Sequence, residues 1–258
     1  MRKKVLVATA LAALIAASAA GSAVAGNKEK VQLEDVVFEA GGGFAPSRMP
    51  KRRLAPIALT AEGKIGTTDG THPPALTKLV LETDRNGAID VKGYPTCRPG
   101  KLQAQDTRHA KAACKSALIG TGTTDVSIAF PESKDVPAHS ELLVFNGGAH
   151  GGVTTLYIHA YITVPVPAAI VTTVKIKKVH HGRYGLQATA TIPKIASGNG
   201  SVTAFRLKID KKFTYRGRKQ SVLSAKCPDG RLQAHATAYF SNGLKAATEF
   251  VRPCTGTG

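Results

Sequence analysis

Four stretches of this chain alternate with a period of two or run apolar with β-branched residues: TTLYIHAYITV (154–164), AAIVTTVKIKKV (168–179), GLQATATI (185–192) and SVTAFRLKI (201–209). Successive side chains on a strand point to opposite faces, so such runs fold as sheet with one apolar face. Their Val, Ile and Thr content favours the same reading, because branched side chains pack well on a pleated surface. Short turn signals separate apolar runs at Arg85-Asn86-Gly87, Ser197-Gly198-Asn199-Gly200 and Ser241-Asn242-Gly243. An Asn-Gly pair suits a tight hairpin, since both residues tolerate positive φ. Pro165, Pro167 and Pro193 fall at strand edges, where a missing N–H breaks no ladder. One stretch reads as helix, DTRHAKAACKSAL (106–118), with Asp106 placed to cap it. The expected fold class is all-β with one short helix near 106–118.

A second feature suggests how the strands are grouped. CRPGKLQAQDT (97–107) returns as CPDGRLQAHAT (227–237), identical at six of eleven positions. Upstream of the copies, PALTKLVLETD (74–84) and GSVTAFRLKID (200–210) are alternating runs that both end in Asp. The same elements in the same order point to internal duplication. Two related antiparallel β-sandwich-like halves follow as the expected architecture, at 26–148 and 149–258. The Gly-rich link NGGAHGG (146–152) marks the boundary, although a long hairpin loop would read alike.

The chain opens like an export signal. MRKK is followed by the apolar run VLVATALAALIAASAA and by Ala23-Val24-Ala25, a small-x-small cleavage site before Gly26. Removal of residues 1–25 lowers the formal net charge from +18 to +15, because Arg2, Lys3 and Lys4 leave with it. No second apolar span follows, so a secreted or envelope location with no transmembrane span is expected. Four cysteines, Cys97, Cys114, Cys227 and Cys254, then read as two disulfides. If each half closes its own loop, the pairs are Cys97–Cys114 and Cys227–Cys254; the other pairings join the halves.

Several chemistries leave no signature. Ser201 in GNGSVTA lacks the G-x-S-x-G elbow, and a strand follows it rather than a helix. His150-Gly151-Gly152 has the letters of an oxyanion loop, which a Gly-rich turn also supplies. His139, His150, His159, His180 and His181 show no metal spacing, and no C-x-x-C pair occurs. Asp84, Asn86 and Asp90 offer too few oxygens for calcium. Neither a catalytic set nor a cofactor site is expected. The nearest dissenting group is His150 and His159 with Asp84 as acid.

Charge is the remaining signal, with 35 Lys and Arg against 17 Asp and Glu. Lys175, Lys177 and Lys178 lie in one basic run, and Arg206, Lys208, Lys211, Lys212, Arg216 and Arg218 in another. Alternation with apolar residues would put them along a sheet face, interleaved with Tyr184, Phe213 and Tyr215. In an exported protein the expected partner is an anionic envelope polymer or lipid headgroup, not nucleic acid.

GSVTAFRLKI, LSAKCPDGRLQAHAT, the terminal VRPC, LAPIALTAEGKI and DRNGAIDVKGYPTCRPG resemble stretches of exported β-rich proteins of actinobacterial type. The resemblance spans most of the chain after residue 25 and implies a shared fold, with no activity attached. The leading expectation is a non-catalytic, exported protein bound to the anionic envelope through basic sheet faces. Two alternatives stand beside it: a carrier enclosing an apolar ligand between β layers, and a secreted hydrolase built from scattered residues.

Overall fold

The computed structural model describes residues 28–258; the expected export signal and its cleavage site before Gly26 lie outside the described residues. Seven strands come first: β1 (Glu29–Leu33), β2 (Val36–Ala45), β3 (Arg48–Pro50), β4 (Ala55–Pro56), β5 (Ala58–Thr67), β6 (Leu76–Asp84) and β7 (Gly87–Ile89). A helical excursion with α1 (Thr107–Ala113) leads to β8 (Leu118–Ile128), β9 (Val136–His150), β10 (Val153–Ile162), β11 (Ala168–His181), β12 (Tyr184–Thr191) and β13 (Gly200–Ile209). The chain ends with β14 (Lys212–Tyr215), β15 (Arg218–Ser221), β16 (Leu223–Ala225), β17 (Arg231–Phe240), β18 (Lys245–Pro253) and β19 (Thr255–Thr257). Among the described residues the protein is all-β with one short α-helix. Asp106 caps that helix, its side chain accepting from the His109 N–H.

Twelve strands form one antiparallel sheet in the order β1-β2-β5-β13-β8-β9-β10-β11-β12-β6-β17-β18. The sheet curls until β18 lies alongside β1. Among the described residues no ladder joins these two strands. Side chains close the gap instead: Val31, Leu33, Val36 and Phe38 pack with Ala246 and Phe250. Phe38 and Phe240 meet edge to face with ring centres 6.4 Å apart, an arrangement that ring quadrupoles favour. The result is a barrel.

This arrangement differs from two sandwich-like halves set side by side. β13 sits between β5 and β8, and β6 sits between β12 and β17, so strands of both halves interleave. The expected boundary at 148/149 falls inside β9. The repeated cysteine-led stretch also takes two structures. Residues 97–107 form a 3-10 turn leading to the helix cap, whereas residues 231–237 are strand. Similar letters serve different local folds because their long-range partners differ.

Both cysteine pairs form, Cys97–Cys114 and Cys227–Cys254. The first staples the helical excursion onto the outer wall. There Leu102, Ala110 and Ala117 pack on the outward side chains Leu143 and Phe145 of β9. Asn146, fully buried, fixes the join by donating to the carbonyls of Tyr94 and Pro95 and accepting from the Gly148 N–H. The second disulfide sits in a cluster with Phe44, Met49, Ile57 and Leu232. Beside it, β4, β16 and β7 form a small three-stranded sheet. At the opposite end, the turn around Ile195 packs on Ile128, Ala138 and Ile162.

The outer wall is largely polar where no excursion covers it, with Lys78, Glu82, Lys175, Lys177 and Gln187 on it. Barrels that cross membranes carry the opposite pattern, apolar outside and polar within.

Candidate functional site: the barrel lumen

Period-two alternation sends one residue in two toward the barrel axis. On β10 these are Leu156, Ile158 and Ala160, on β11 Ile170, Thr172, Val174 and Ile176, and on β12 Leu186, Ala188 and Ala190. Register aligns them into rows across the wall. Leu79 faces Ala190 across β6 and β12, Ala190 faces Val174, and Val174 faces Leu156. Where a row carries alanine, the side chains do not reach the axis. A cavity of about 250 Å³ is left inside. Among its described lining residues, Thr83, Thr124 and Thr172 alone carry a polar side chain.

A second chamber of about 160 Å³ adjoins the first. Leu59, Ala61, Leu81, Thr83, Leu186 and Leu223 line both. Small residues again make the room, here Gly42, Ala61, Ala88 and Ala234. This chamber has a polar end with Asp84, Gln233 and Arg252. Arg252 is 7% exposed; its Nε donates to the Gly42 carbonyl at 2.8 Å and its Nη1 to the Val251 carbonyl at 3.2 Å. Asp84, 3% exposed, accepts from Arg183 Nε at 2.8 Å and from the Gln233 N–H at 3.1 Å. Arg183 also reaches Asp229 at 2.7 Å. The Arg183 bond keeps the Asp229 carboxyl below the usual carboxylate range, against the opposing effect of desolvation.

Empty volume of this kind is costly. At about 24 cal/mol per Å³, leaving 250 Å³ unfilled costs about 6 kcal/mol. That is comparable with the net stability of an ordinary domain, about 5–15 kcal/mol. An apolar void holds no ordered water, because water needs polar partners there. Together the two chambers reach the lower part of the range for small-molecule sites, about 300–1,000 Å³.

The residues singled out from the sequence lie elsewhere. His150 is exposed at the end of β9. His159 is fully buried on the outer side of β10 beneath the helical excursion. Its Nε2–H donates to the Gln105 carbonyl at 2.9 Å, and its Nδ1 has no partner among the described residues. Burial pushes its pKa down and favours the neutral ring. With Asp84 at the polar end of the second chamber, the three do not converge. Asn86 and Asp90 belong to turns, Asp90 accepting from the Lys92 N–H. No group of three His, Cys, Asp or Glu able to hold a metal occurs among the described residues.

The basic residues are dispersed rather than gathered on one face. β8, β9 and β10 separate Lys175, Lys177 and Lys178 on β11 from Arg206 and Lys208 on β13. Arg206 pairs with Glu62 and Lys208 with Asp210. Lys212, Arg216 and Arg218 sit with Lys211 and Lys219 on or beside the β14–β15 hairpin, all exposed. Phe213 of that hairpin packs on Tyr94, with ring centres 5.0 Å apart.

One constellation has no local sequence signal. Ser201 Oγ lies 3.0 Å from His72 Nε2, and His72 Nδ1 lies 2.5 Å from Asp135 Oδ2. The connectivity is that of a Ser-His-Asp triad. The Ser201 hydroxyl proton is committed elsewhere: it donates to the Pro73 carbonyl at 2.6 Å. Ser201 is also 1% exposed. The group ties the 68–75 connection to β13 and the β8–β9 loop, with Ser201 buried beneath it.

Comparison with protein families, curated proteins and solved structures gave no match. The lumen therefore stands on its own geometry.

Proposed function

We propose that this is an exported protein that holds an apolar small molecule inside its barrel. The cavity carries the reading: about 250 Å³, walled by aliphatic side chains, in the middle of the curled sheet. Hydrophobic transfer contributes about 25 cal/mol per Å² of apolar surface covered, so a ligand filling this space gains affinity without directional contacts. A preformed barrel also spares much of the ordering cost of binding. Export is supported by the amino-terminal MRKK and apolar run and by the two disulfides. The test is extraction of protein purified from its native host, followed by mass spectrometry of the organic phase. One stoichiometric apolar compound supports the proposal. An empty protein that also fails to bind medium-chain alcohols refutes it.

The exposed β14–β15 hairpin favours a second, compatible reading. Lys211, Lys212, Arg216, Arg218 and Lys219 concentrate positive charge on a short projection. Such a projection suits an anionic envelope polymer or lipid headgroup, through contacts that weaken with salt. Cosedimentation with anionic vesicles at low and physiological ionic strength tests it. Binding that ignores salt, or persists when these five residues become Gln, defeats it.

A further inference from the structure

We infer that the molecule held in the lumen is a single uncharged aliphatic chain, longer than about ten carbons, lying through both chambers. This rests on the lumen reading above and adds the chemical class and length of the ligand. The length follows from the volumes. An apolar protein cavity of about 150 Å³ takes one benzene and so its six carbons. On that scale about ten carbons fill the larger chamber of about 250 Å³, and about six more fill the smaller one of about 160 Å³. The chambers meet at a waist of shared side chains, where Ala61 and Thr83 stand short among Leu59, Leu81, Leu186 and Leu223. A slender chain can lie through such a waist. Two separate small molecules would each lose translational freedom, whereas one chain loses it once.

The absence of charge follows from how the polar groups of the wall are used. An ionised end brought into apolar surroundings is strongly disfavoured unless it meets an opposite charge or several donors. Asp84 and Arg252 are the ionisable side chains among the described residues lining the two chambers, and the protein itself engages both. Asp84 accepts from Arg183 and from the Gln233 N–H, and Arg252 donates to the Gly42 and Val251 carbonyls. The Gln233 side-chain amide is turned to Glu249, at 2.7 Å. Thr124 likewise donates to the Ala204 carbonyl at 2.9 Å. A ligand is left with aliphatic wall and the neutral hydroxyls of Thr83 and Thr172. Such a surface suits a hydrocarbon, a long-chain alcohol or an ester, not an acid or an amine.

Calorimetric titration of the full protein with decan-1-ol, dodecan-1-ol and, at neutral pH, decanoic acid tests this. Each CH₂ buried tightens binding about fourfold, so dodecan-1-ol should bind at least about tenfold tighter than decan-1-ol. Decanoic acid should bind at least about tenfold more weakly than decan-1-ol, because its carboxylate must enter unpaired or take up a proton. Ala234 lines the smaller chamber and not the larger, and Ala234→Phe adds a six-carbon ring there. That variant should reduce the gain from dodecan-1-ol to about twofold or less and leave decan-1-ol affinity unchanged. Equal affinity of the unaltered protein for the two alcohols overturns the inference, and so does decanoic acid binding as tightly as decan-1-ol; either result leaves the lumen reading intact. A gain that survives in folded Ala234→Phe overturns the inference as well. Binding of none of the three compounds overturns both. The comparisons on the unaltered protein need no variant, so a folding defect in Ala234→Phe cannot mask the outcome.

Discussion

Ala190 stands directly opposite Leu79 across the β12–β6 ladder, and both point into the lumen. The alanine leaves room beside Leu79 in a row that continues through Val174 and Leu156. Replacing Ala190 with Phe should fill that room. Decanol binding is expected to fall at least about tenfold, as the added ring takes the ligand's place. The variant should stay folded, because it fills a void rather than compressing a packed core. Calorimetry with a thermal melt checks both halves. Undiminished binding would place the ligand outside the barrel.

The Cys227–Cys254 bond closes a loop with a sequence separation of 27 residues, and Cys97–Cys114 one of 17. On the chain-entropy estimate their removal costs about 3.5 and about 3 kcal/mol respectively. Strands from both halves share one sheet, so the loss should not be confined to one half. A Cys227→Ser, Cys254→Ser variant is expected to unfold in a single urea transition at a lower midpoint. Two separated transitions would reveal independently stable halves.

Tyr184 should resist ionisation. Burial, and then the hydrogen bond and charge of Glu249 2.9 Å away, push its hydroxyl up to about 12. A folded pKa above the unfolded one gives stability that is fully present below about pH 10. That stability is lost as pH rises toward about 12. Tyrosinate absorbance during an alkaline titration, compared with Tyr184→Phe, isolates the group. A Tyr184 contribution appearing near pH 10 contradicts the assignment.

The His72 tie should behave as a structural clamp. The Ser127 hydroxyl, and next His72, hold the Asp135 carboxyl below its usual range. A depressed carboxylate stabilises the fold above its ordinary value near about 3.9. The contribution disappears as pH falls through the lower folded value. Amide exchange in the 68–75 connection should therefore accelerate at strongly acid pH, and less so in Asp135→Asn. Ser201→Ala is expected to cost about 1–2 kcal/mol, since it orphans the Pro73 carbonyl. A serine-directed fluorophosphonate should leave Ser201 unmodified; labelling there would make it a nucleophile after all.

How much of this was readable in the letters depends on the range of the interactions involved. The alternation of β10, β11 and β12 is local, so strand identity and the inward set Leu156, Ile158 and Ala160 follow from period two. The Asp106 cap is local as well, and the cysteines pair as expected if each half closes its own loop, although the halves themselves share one sheet. Strand order is not local. Nothing in SVTAFRLKI states that it will lie between β5 and β8. The cavity is less legible still, because Ala188 and Ala190 become a void only when the sheet closes around them. Ser201 and His72 stand 129 residues apart, beyond the reach of any motif.

The joint between β18 and β1 gives the wall an uneven compliance. Separating any other neighbouring pair in the barrel breaks a ladder of backbone hydrogen bonds along its length. At that joint only side-chain contacts part, and among the described residues no ladder is broken. Side-chain contacts are individually weak and tolerate sliding, while ladder bonds fix register. The barrel is therefore a hoop with a clasp, and its circumference yields first along the line where the first and last of its strands meet.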